Sequence, residues 1–207
     1  SVAADLGALE HDVARALEGK MKIVPMGVQV NGRTQRTEHS VRMSSIRDNG
    51  WASILFVGRL TEVKGCEYLI RSIPGLPQSW HLFVVGSGPL EGSLRNLASE
   101  LNVGHRVIFT GSMHRDAVLE MYEQADVVVI PSIVDSSGYE EGLPVVLEEA
   151  LSLGKAIVAT RINGTQELIR DGSNGLLVEQ KDSGNLSKAI QRVLNDSRLR
   201  ERISLEA

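Results

Sequence analysis

The chain reads as an α/β protein built on a doubly wound parallel sheet, with an N-terminal helical and linker appendage. Three observations carry that reading. From Trp51 onward, short β-rich runs alternate with helical patterns, the rhythm of successive strand–helix units. The strand runs are apolar throughout instead of alternating with polar residues, as expected for strands covered on both faces. Nearly every run ends in Gly, Pro or Ser, which marks a turn at the edge of the sheet where ligands bind in such folds.

Taken in order, residues 3–18 place Leu6, Leu9, Val13 and Leu17 at roughly helical spacing, and the short apolar run "KIVPMGV" follows. Residues 29–50 are polar with few apolar anchors and are expected to form a loop or linker. The compact domain is therefore expected to span 51–207, with 1–50 as the remnant of an inter-domain segment and linker. Within it, "SILFVG" precedes a helix near 65–73, "LFVVG" one near 90–101, and "RVIFTG" one near 116–124. "DVVVIP" leads to a helix over 144–153, "AIVAT" to a short one over 165–170, and "GLLVE" to a last one near 184–195. The whole is a Rossmann-like layer sandwich.

Composition narrows the function. The 207 residues, 42% of them hydrophobic, suffice for one sizeable core. A net charge of -4 with 22 basic and 26 acidic side chains excludes a nucleic-acid surface and a polybasic membrane anchor. Cys66 is the single cysteine, which rules out an internal disulfide, and the five histidines lack metal-ligand spacing. Apolar runs such as "DVVVIPSIV" fall far short of the about 20 residues a membrane span needs. No charged-then-apolar leader opens the chain, so a soluble protein is expected, and the lone cysteine fits a reducing, cytoplasmic compartment. The chain begins without Met and stops inside the charged helical pattern "RLRERISLEA", as a piece of a longer protein would.

One corner stands out. "EEGLPVVLEEALSLGKAIVAT" sets Glu141 and Glu149 on either side of Gly142-Leu143-Pro144. Proline is tolerated at a first helical position because its missing N–H has no intrahelical partner there, so the helix starts at or beside Pro144. Its free N–H groups and macrodipole suit a phosphate. Carboxylates accept hydroxyl hydrogen bonds, so the flanking acids suit two sugars, one on each side of that phosphate. Taken alone, Glu141 also fits a dipole-complementing acid, and Glu148 and Glu149 fit solvated surface charges. A second stretch, "ILFVGRLTEVKG", puts Gly58 and Arg59 at a strand end and Lys64 before the next helix, on the same sheet edge. An Arg fork and a Lys point charge beside a glycine turn suit a diphosphate. In "VVGSGPLEG" the glycines invite a dinucleotide reading, but the next strand, "VIFTG", ends without the acid such a site requires.

Together these stretches resemble the C-terminal half of a GT-B glycosyltransferase of the retaining group 1, or family 4, class. The resemblance rests on "FVGRLTEVKG", "VVGSGPL", "VIFTGSMHRDAVLEMYEQADVVVIPS", "EEGLPVVLEEALSLGKAIVAT" and "GTQELIRDGSNGLLV", in that order over about residues 52–195. The layout "PSIVDSSGYEEGLPVVLEEA" is most similar to enzymes that extend exopolysaccharide or cell-envelope sugar chains. Glu141 and Glu149, with seven residues between them, look like that family's paired-glutamate motif.

The resemblance implies that Arg59 and Lys64, beside Gly58, contact the nucleotide diphosphate. It implies that Glu141 holds donor-sugar hydroxyls, that amides around Gly142 and Leu143, at the corner closed by Pro144, hold phosphate, and that Glu149 holds the ribose. Gly111 to Met113 would lie near the base. It also implies a nucleotide-diphosphate-sugar donor, expected to be UDP-linked, no cofactor, no metal, and transfer with retention to a sugar or lipid-linked acceptor. No Asp-x-Asp pair is placed to hold a metal on the diphosphate.

Residues 21–28 resemble the end of the family's N-terminal domain. The domain that binds the acceptor is missing, so this chain alone is expected to bind donor weakly and transfer little or nothing. The whole enzyme could lie peripherally at the inner face of the membrane. Two readings from other classes stay open: a nucleotide-sugar 2-epimerase of the same architecture, and a non-catalytic nucleotide-sugar-binding module. The loop 134–140 is the expected reader of the sugar.

Overall fold

A computed structural model describes residues 38–206 of the chain. The expected helix over 3–18 and the run at 21–28 lie outside the described residues. All six expected strands form: β1 (Ala52–Val57), β2 (Trp80–Val85), β3 (Val107–Gly111), β4 (Val127–Ile130), β5 (Ile157–Thr160) and β6 (Leu176–Val178). They pair in parallel in the order β3-β2-β1-β4-β5-β6.

The reason is in the side chains. Along β1, Ile54 and Phe56 enter one core and Leu55 the other; along β2, Leu82 and Val84 face one side and Phe83 and Val85 the opposite. Successive residues of a strand point to opposite faces, so an uninterrupted apolar run needs cover on both. Helices α2 (Cys66–Ser72), α3 (Glu91–Glu100), α7 (Ser183–Asn195) and α8 (Ser197–Leu205) supply it on the first face through Leu69, Leu94, Ile190 and Ile203. The second face is covered by α1 (Glu38–Asp48), α4 (Arg115–Gln124) and α5 (Val145–Ser152), through Met43, Met121 and Leu147. A four-residue helix, α6 (Asn163–Gln166), follows β5, shorter than the 165–170 helix expected there.

Helix α1 corrects the expectation of a loop over 29–50 where it runs, at Glu38–Asp48; residues 29–37 lie outside the described residues. Its surface shows almost no amphipathic pattern, so the sequence carries no helical period to read. What holds it is local: Met43 and Ile46 are buried in the second core, and the Ser44 hydroxyl donates to Gln124 Oε1 of α4 at 2.6 Å. Helices of this length are marginal in isolation and take their stability from tertiary packing. The charged pattern near the end forms α8, opened by an Asp196 carboxylate that accepts from the Leu199 amide at 2.9 Å, an N-cap. Among the described residues no helix is long and apolar enough to cross a membrane.

Strand order reverses between β1 and β4: the chain builds outward through β2 and β3, then returns to pair β4 with β1. In doubly wound sheets such a switch point leaves a crevice at the carboxyl ends of the strands. Here the crevice lies between the turn after Val57 and the segment after Ile130.

At the opposite edge Trp51 stacks on His81, ring centroids 5.0 Å apart and planes within 9°. His81 is buried, and its Nδ1–H donates to the Ser79 carbonyl at 3.2 Å. Burial first, with the charges of Arg106, Arg42 and His105, holds its imidazole below the ordinary value of 6.5. The unfolded chain therefore binds the proton more readily, and stability falls as pH drops through 6.5 toward the depressed folded value, below which the penalty stops growing. Melting temperatures of wild type and His81→Phe check this. The advantage of wild type at pH 7.5 is expected to shrink or reverse at pH 5.5; a constant difference would refute it.

Candidate functional site

The crevice is built from two chain segments tied across the switch point. After β1, Gly58 is half-buried and Arg59 is exposed at the strand's carboxyl end. A 3-10 turn, Glu62–Lys64, then ends at Gly65. The Ile133 amide, just past β4, donates to the Val63 carbonyl at 2.8 Å, which sets the Lys64 turn beside the exit of β4. The Gly86–Leu90 loop laces to the same turn: the Leu60 amide donates to Ser87 O at 2.9 Å, and the Leu90 amide to Leu60 O at 3.1 Å. That accounts for the glycines of "GSGPL" as turn and packing residues.

Lys64 and Glu141 meet directly: the ammonium donates to Glu141 Oε2 in an ion pair whose side chains are 21% and 13% exposed. The other carboxylate oxygen, Oε1, accepts from the Ser132 hydroxyl. Ser132 is itself buried, and its carbonyl accepts from the Thr160 hydroxyl. In turn the Thr160 carbonyl accepts from the Thr165 hydroxyl at 2.5 Å. A ladder of buried hydroxyls thus runs from α6 beneath the site to Glu141, and each donor spends its hydrogen on a fixed acceptor. Buried polar groups require such partners, and in meeting that requirement they fix the carboxylate's position.

The Gly142-Leu143-Pro144 corner follows. Gly142 and Leu143 are exposed and Pro144 is buried. Pro144 takes the N-cap position of α5 with extended backbone, φ -70 and ψ 123, and the helix has no side-chain cap. The helix thus starts beside Pro144, as expected, with amide hydrogens and the positive end of its dipole turned toward the crevice. Gly164 backs the corner: a Cβ there would lie 2.2 Å from the Gly142 carbonyl oxygen, so only glycine lets α6 approach this closely. Beside it, Glu140 accepts from the backbone and side-chain amides of Asn163, the latter at 3.1 Å.

Glu149 lies on the second turn of α5, 15% exposed. Its Oε2 accepts from the Tyr122 hydroxyl at 3.2 Å, and Arg115 Nη1 stands 3.9 Å from Oε1. Gly111 closes β3 with φ +72, and its carbonyl accepts from the Gly86 amide at 2.9 Å. Ser112 and Ser87 share a hydroxyl hydrogen bond of 2.7 Å, and Met113 is partly buried against the second core. Lys64 and Glu141 are therefore in contact, with Gly58, Arg59 and Gly142–Pro144 on the same two segments. Gly111 and Met113 join them only indirectly, through the Gly86 loop.

The 134–140 loop is pinned at its base. Asp135 accepts from the Ser137 hydroxyl at 2.7 Å, the Ser137 amide at 2.9 Å and the Tyr139 amide at 3.0 Å. These bonds, the Ser137 hydroxyl foremost, hold its carboxyl below the usual range. Glu62 accepts from the Ser136 amide and hydroxyl at 2.9 and 2.8 Å, which joins the loop to the Lys64 turn. Sequence reasoning missed Ser132, Tyr122, Arg115, Glu140 and Gly164. The available signals were faint: a serine directly after a strand-ending proline, and a tyrosine late in a helix.

The family described as glycosyl transferases group 1 matches residues 42–207. An uncharacterized glycosyltransferase of Methanocaldococcus jannaschii is 34% identical over 193 residues, 90% of this chain and 48% of its own length. The chain spans about half the length of that relative, and 39% of an alpha-D-kanosaminyltransferase from Streptomyces kanamyceticus that is 32% identical over 74% of this chain. Among solved structures, Anabaena HepE in complex with UDP-glucose superposes with a TM-score of 0.70 at 22% identity, covering 82% of this chain and 47% of HepE. The six-stranded parallel sheet with its flanking helices is the α/β fold of GT-B C-terminal domains. With four-fifths of its residues inside the family match, the chain belongs to the group 1 glycosyl transferases.

Proposed function

We propose that this chain is the donor-binding half of a retaining, family 4 glycosyltransferase. The whole enzyme moves a hexose from a nucleotide-diphosphate sugar, UDP-linked, to a glycan or lipid-linked acceptor in exopolysaccharide or cell-envelope synthesis. The observation that carries the reading is the Lys64–Glu141 contact in the switch-point crevice, beside an uncapped helix N-terminus. A cation, a carboxylate and free amides converge there, which is the donor and acceptor set a sugar diphosphate presents in mirror image.

In this reading Arg59 and Lys64, with the turn at Gly58, take the diphosphate, and the amides of the Gly142–Pro144 corner share its charge. Glu141 accepts donor-sugar hydroxyls, Glu149 accepts the ribose hydroxyls, and Gly111 to Met113 border the base. During transfer the bond from sugar C1 to the diphosphate oxygen breaks, with its electron pair left on the diphosphate, and the acceptor hydroxyl's oxygen bonds to C1 as its proton passes to the departing diphosphate. Preorganised cations and amides lower the barrier because they meet that charge where it develops, without solvent reorganisation. Residues 51–207, with α1 packed against their second core, form the donor unit, and the acceptor is bound by a part of the enzyme outside it.

Calorimetric titration of the chain with UDP, GDP and ADP tests the reading. UDP is the first choice because the Anabaena protein of the same fold is seen with UDP-glucose. One nucleotide is expected to bind saturably, with Arg59→Ala and Glu149→Ala each weakening it about tenfold or more, the loss of one charged hydrogen bond. A folded chain that binds none of the three would overturn it.

A further inference from the structure

The geometry points to Tyr122 as a positioning residue for Glu149: its buried hydroxyl fixes the carboxylate in the orientation that receives a ribose. This rests on Glu149 as the ribose acceptor in the reading above.

Helix α4 carries two groups onto one carboxylate. Arg115 and Tyr122 are seven residues apart, two helical turns, so they share a face, and that face looks onto Glu149 of α5. The two contacts differ greatly in weight. Arg115 is 55% exposed and stands 3.9 Å away, where solvent screening leaves an ion pair little to contribute. Tyr122 is fully buried, its ring embedded in the second core with Met121, Leu147 and Ala150. Its hydroxyl donates to Glu149 Oε2 at 3.2 Å. Buried aromatic rings have few alternative rotamers, so the hydroxyl cannot follow a wandering carboxylate; the carboxylate must come to it. Burial first, then the adjacent Glu149 charge, pushes the phenol's pKa up, so it remains protonated and donates throughout the physiological range.

A carboxylate oxygen has two acceptor directions. The tyrosine takes one direction on Oε2, which leaves the second on that oxygen and both on Oε1 for the two hydroxyls of a ribose. Without the phenol, Glu149 keeps its charge and its place on α5 but loses the anchor that selects one rotamer. The cost then falls on ligands that use the carboxylate, and on no others.

The experiment measures UDP and 2′,3′-dideoxy-UDP binding to wild type, Tyr122→Phe, Glu149→Ala and the double variant. Circular dichroism and melting curves establish that each is folded. Tyr122→Phe is expected to weaken UDP about three- to tenfold, to change dideoxy-UDP less than twofold, and to have no further effect in the Glu149→Ala background. An equal loss on both nucleotides would make Tyr122 merely structural and overturn the inference. So would an unchanged UDP affinity, or a full Tyr122→Phe loss that persists without Glu149. If Tyr122→Phe fails to fold, the role as a positioning residue separable from the core is refuted. Wild type that binds UDP and dideoxy-UDP equally would remove Glu149 from the ribose and this inference with it, while leaving the donor site intact. Wild type that binds no nucleotide would remove the donor reading itself.

Discussion

Gly65→Ala is expected to destabilise the domain by about 2–5 kcal/mol, from a left-handed backbone that costs a non-glycine residue about 1–2 kcal/mol and overpacking of about 1–3 kcal/mol. Gly65 has φ +63, and a Cβ there would lie 1.8 Å from the Pro131 carbonyl oxygen and 2.8 Å from its carbon. Both are backbone atoms, so no rotamer change relieves the contact. Pro131 directly follows β4, and Gly65 ends the turn that follows β1, so the methyl group would wedge open the switch point itself. The bond from the Ile133 amide to Val63 lies within that wedge, and with it the placement of Lys64 against Glu141. A domain of this size holds only about 5–15 kcal/mol in total, so the variant should lose nucleotide binding together with much of its stability. Gly142→Ala is the control: nothing lies within 4 Å of its Cβ direction and its φ is not positive, so its stability should stay within about 0.5 kcal/mol of wild type. Urea denaturation of the three proteins decides it; equal midpoints for Gly65→Ala and wild type would refute the packing argument.

The sheet was legible because strands buried on both faces write their burial directly into the chain: "VVVI" of β4 has no polar residue to misread. Helix α1 was illegible for the opposite reason. Its helicity comes from what Met43 and Ile46 touch, and contact partners distant in sequence leave no local mark. The same division holds at the site. The sheet edge of Lys64 and Glu141 followed from strand ends, and Pro144 announced the start of α5. Their direct pairing did not follow, because it depends on a turn bonded across two strands. Ser132 and Tyr122 lie further from reach: each acts on a glutamate through an approach that only the packed layers create, Tyr122 across 27 residues of chain. Gly164 is a glycine whose reason lies in the backbone of another segment.

Lys64→Ala is expected to weaken UDP by about 10- to 150-fold, the worth of a charge-assisted hydrogen bond of about 1.5–3 kcal/mol, while uridine, which has no phosphate, changes little. The stability cost is smaller. At 21% and 13% exposure the pair lies between a solvated ion pair, worth about 0–1 kcal/mol, and a buried one, whose breaking costs about 3–5 kcal/mol. About 1–2 kcal/mol is therefore expected, since Ser132 still donates to the stranded Glu141.

Glu141→Gln should move the opposite way. In the free chain the Glu141 carboxylate occupies the ammonium that the diphosphate needs, so the two acceptors compete for Lys64. A neutral amide keeps an oxygen for the Ser132 hydroxyl but releases the cation, and UDP should bind as well as or a few-fold better than to wild type. A UDP-sugar should gain less or bind more weakly, because its hydroxyls lose a charged acceptor. The pair of variants thus separates the roles through the sign of the change. Calorimetry at one pH and ionic strength reads it, since screening alters both charges. If Lys64→Ala binds UDP as tightly as wild type, the diphosphate does not sit on this turn, and the Lys64–Glu141 pair is a strut between strands.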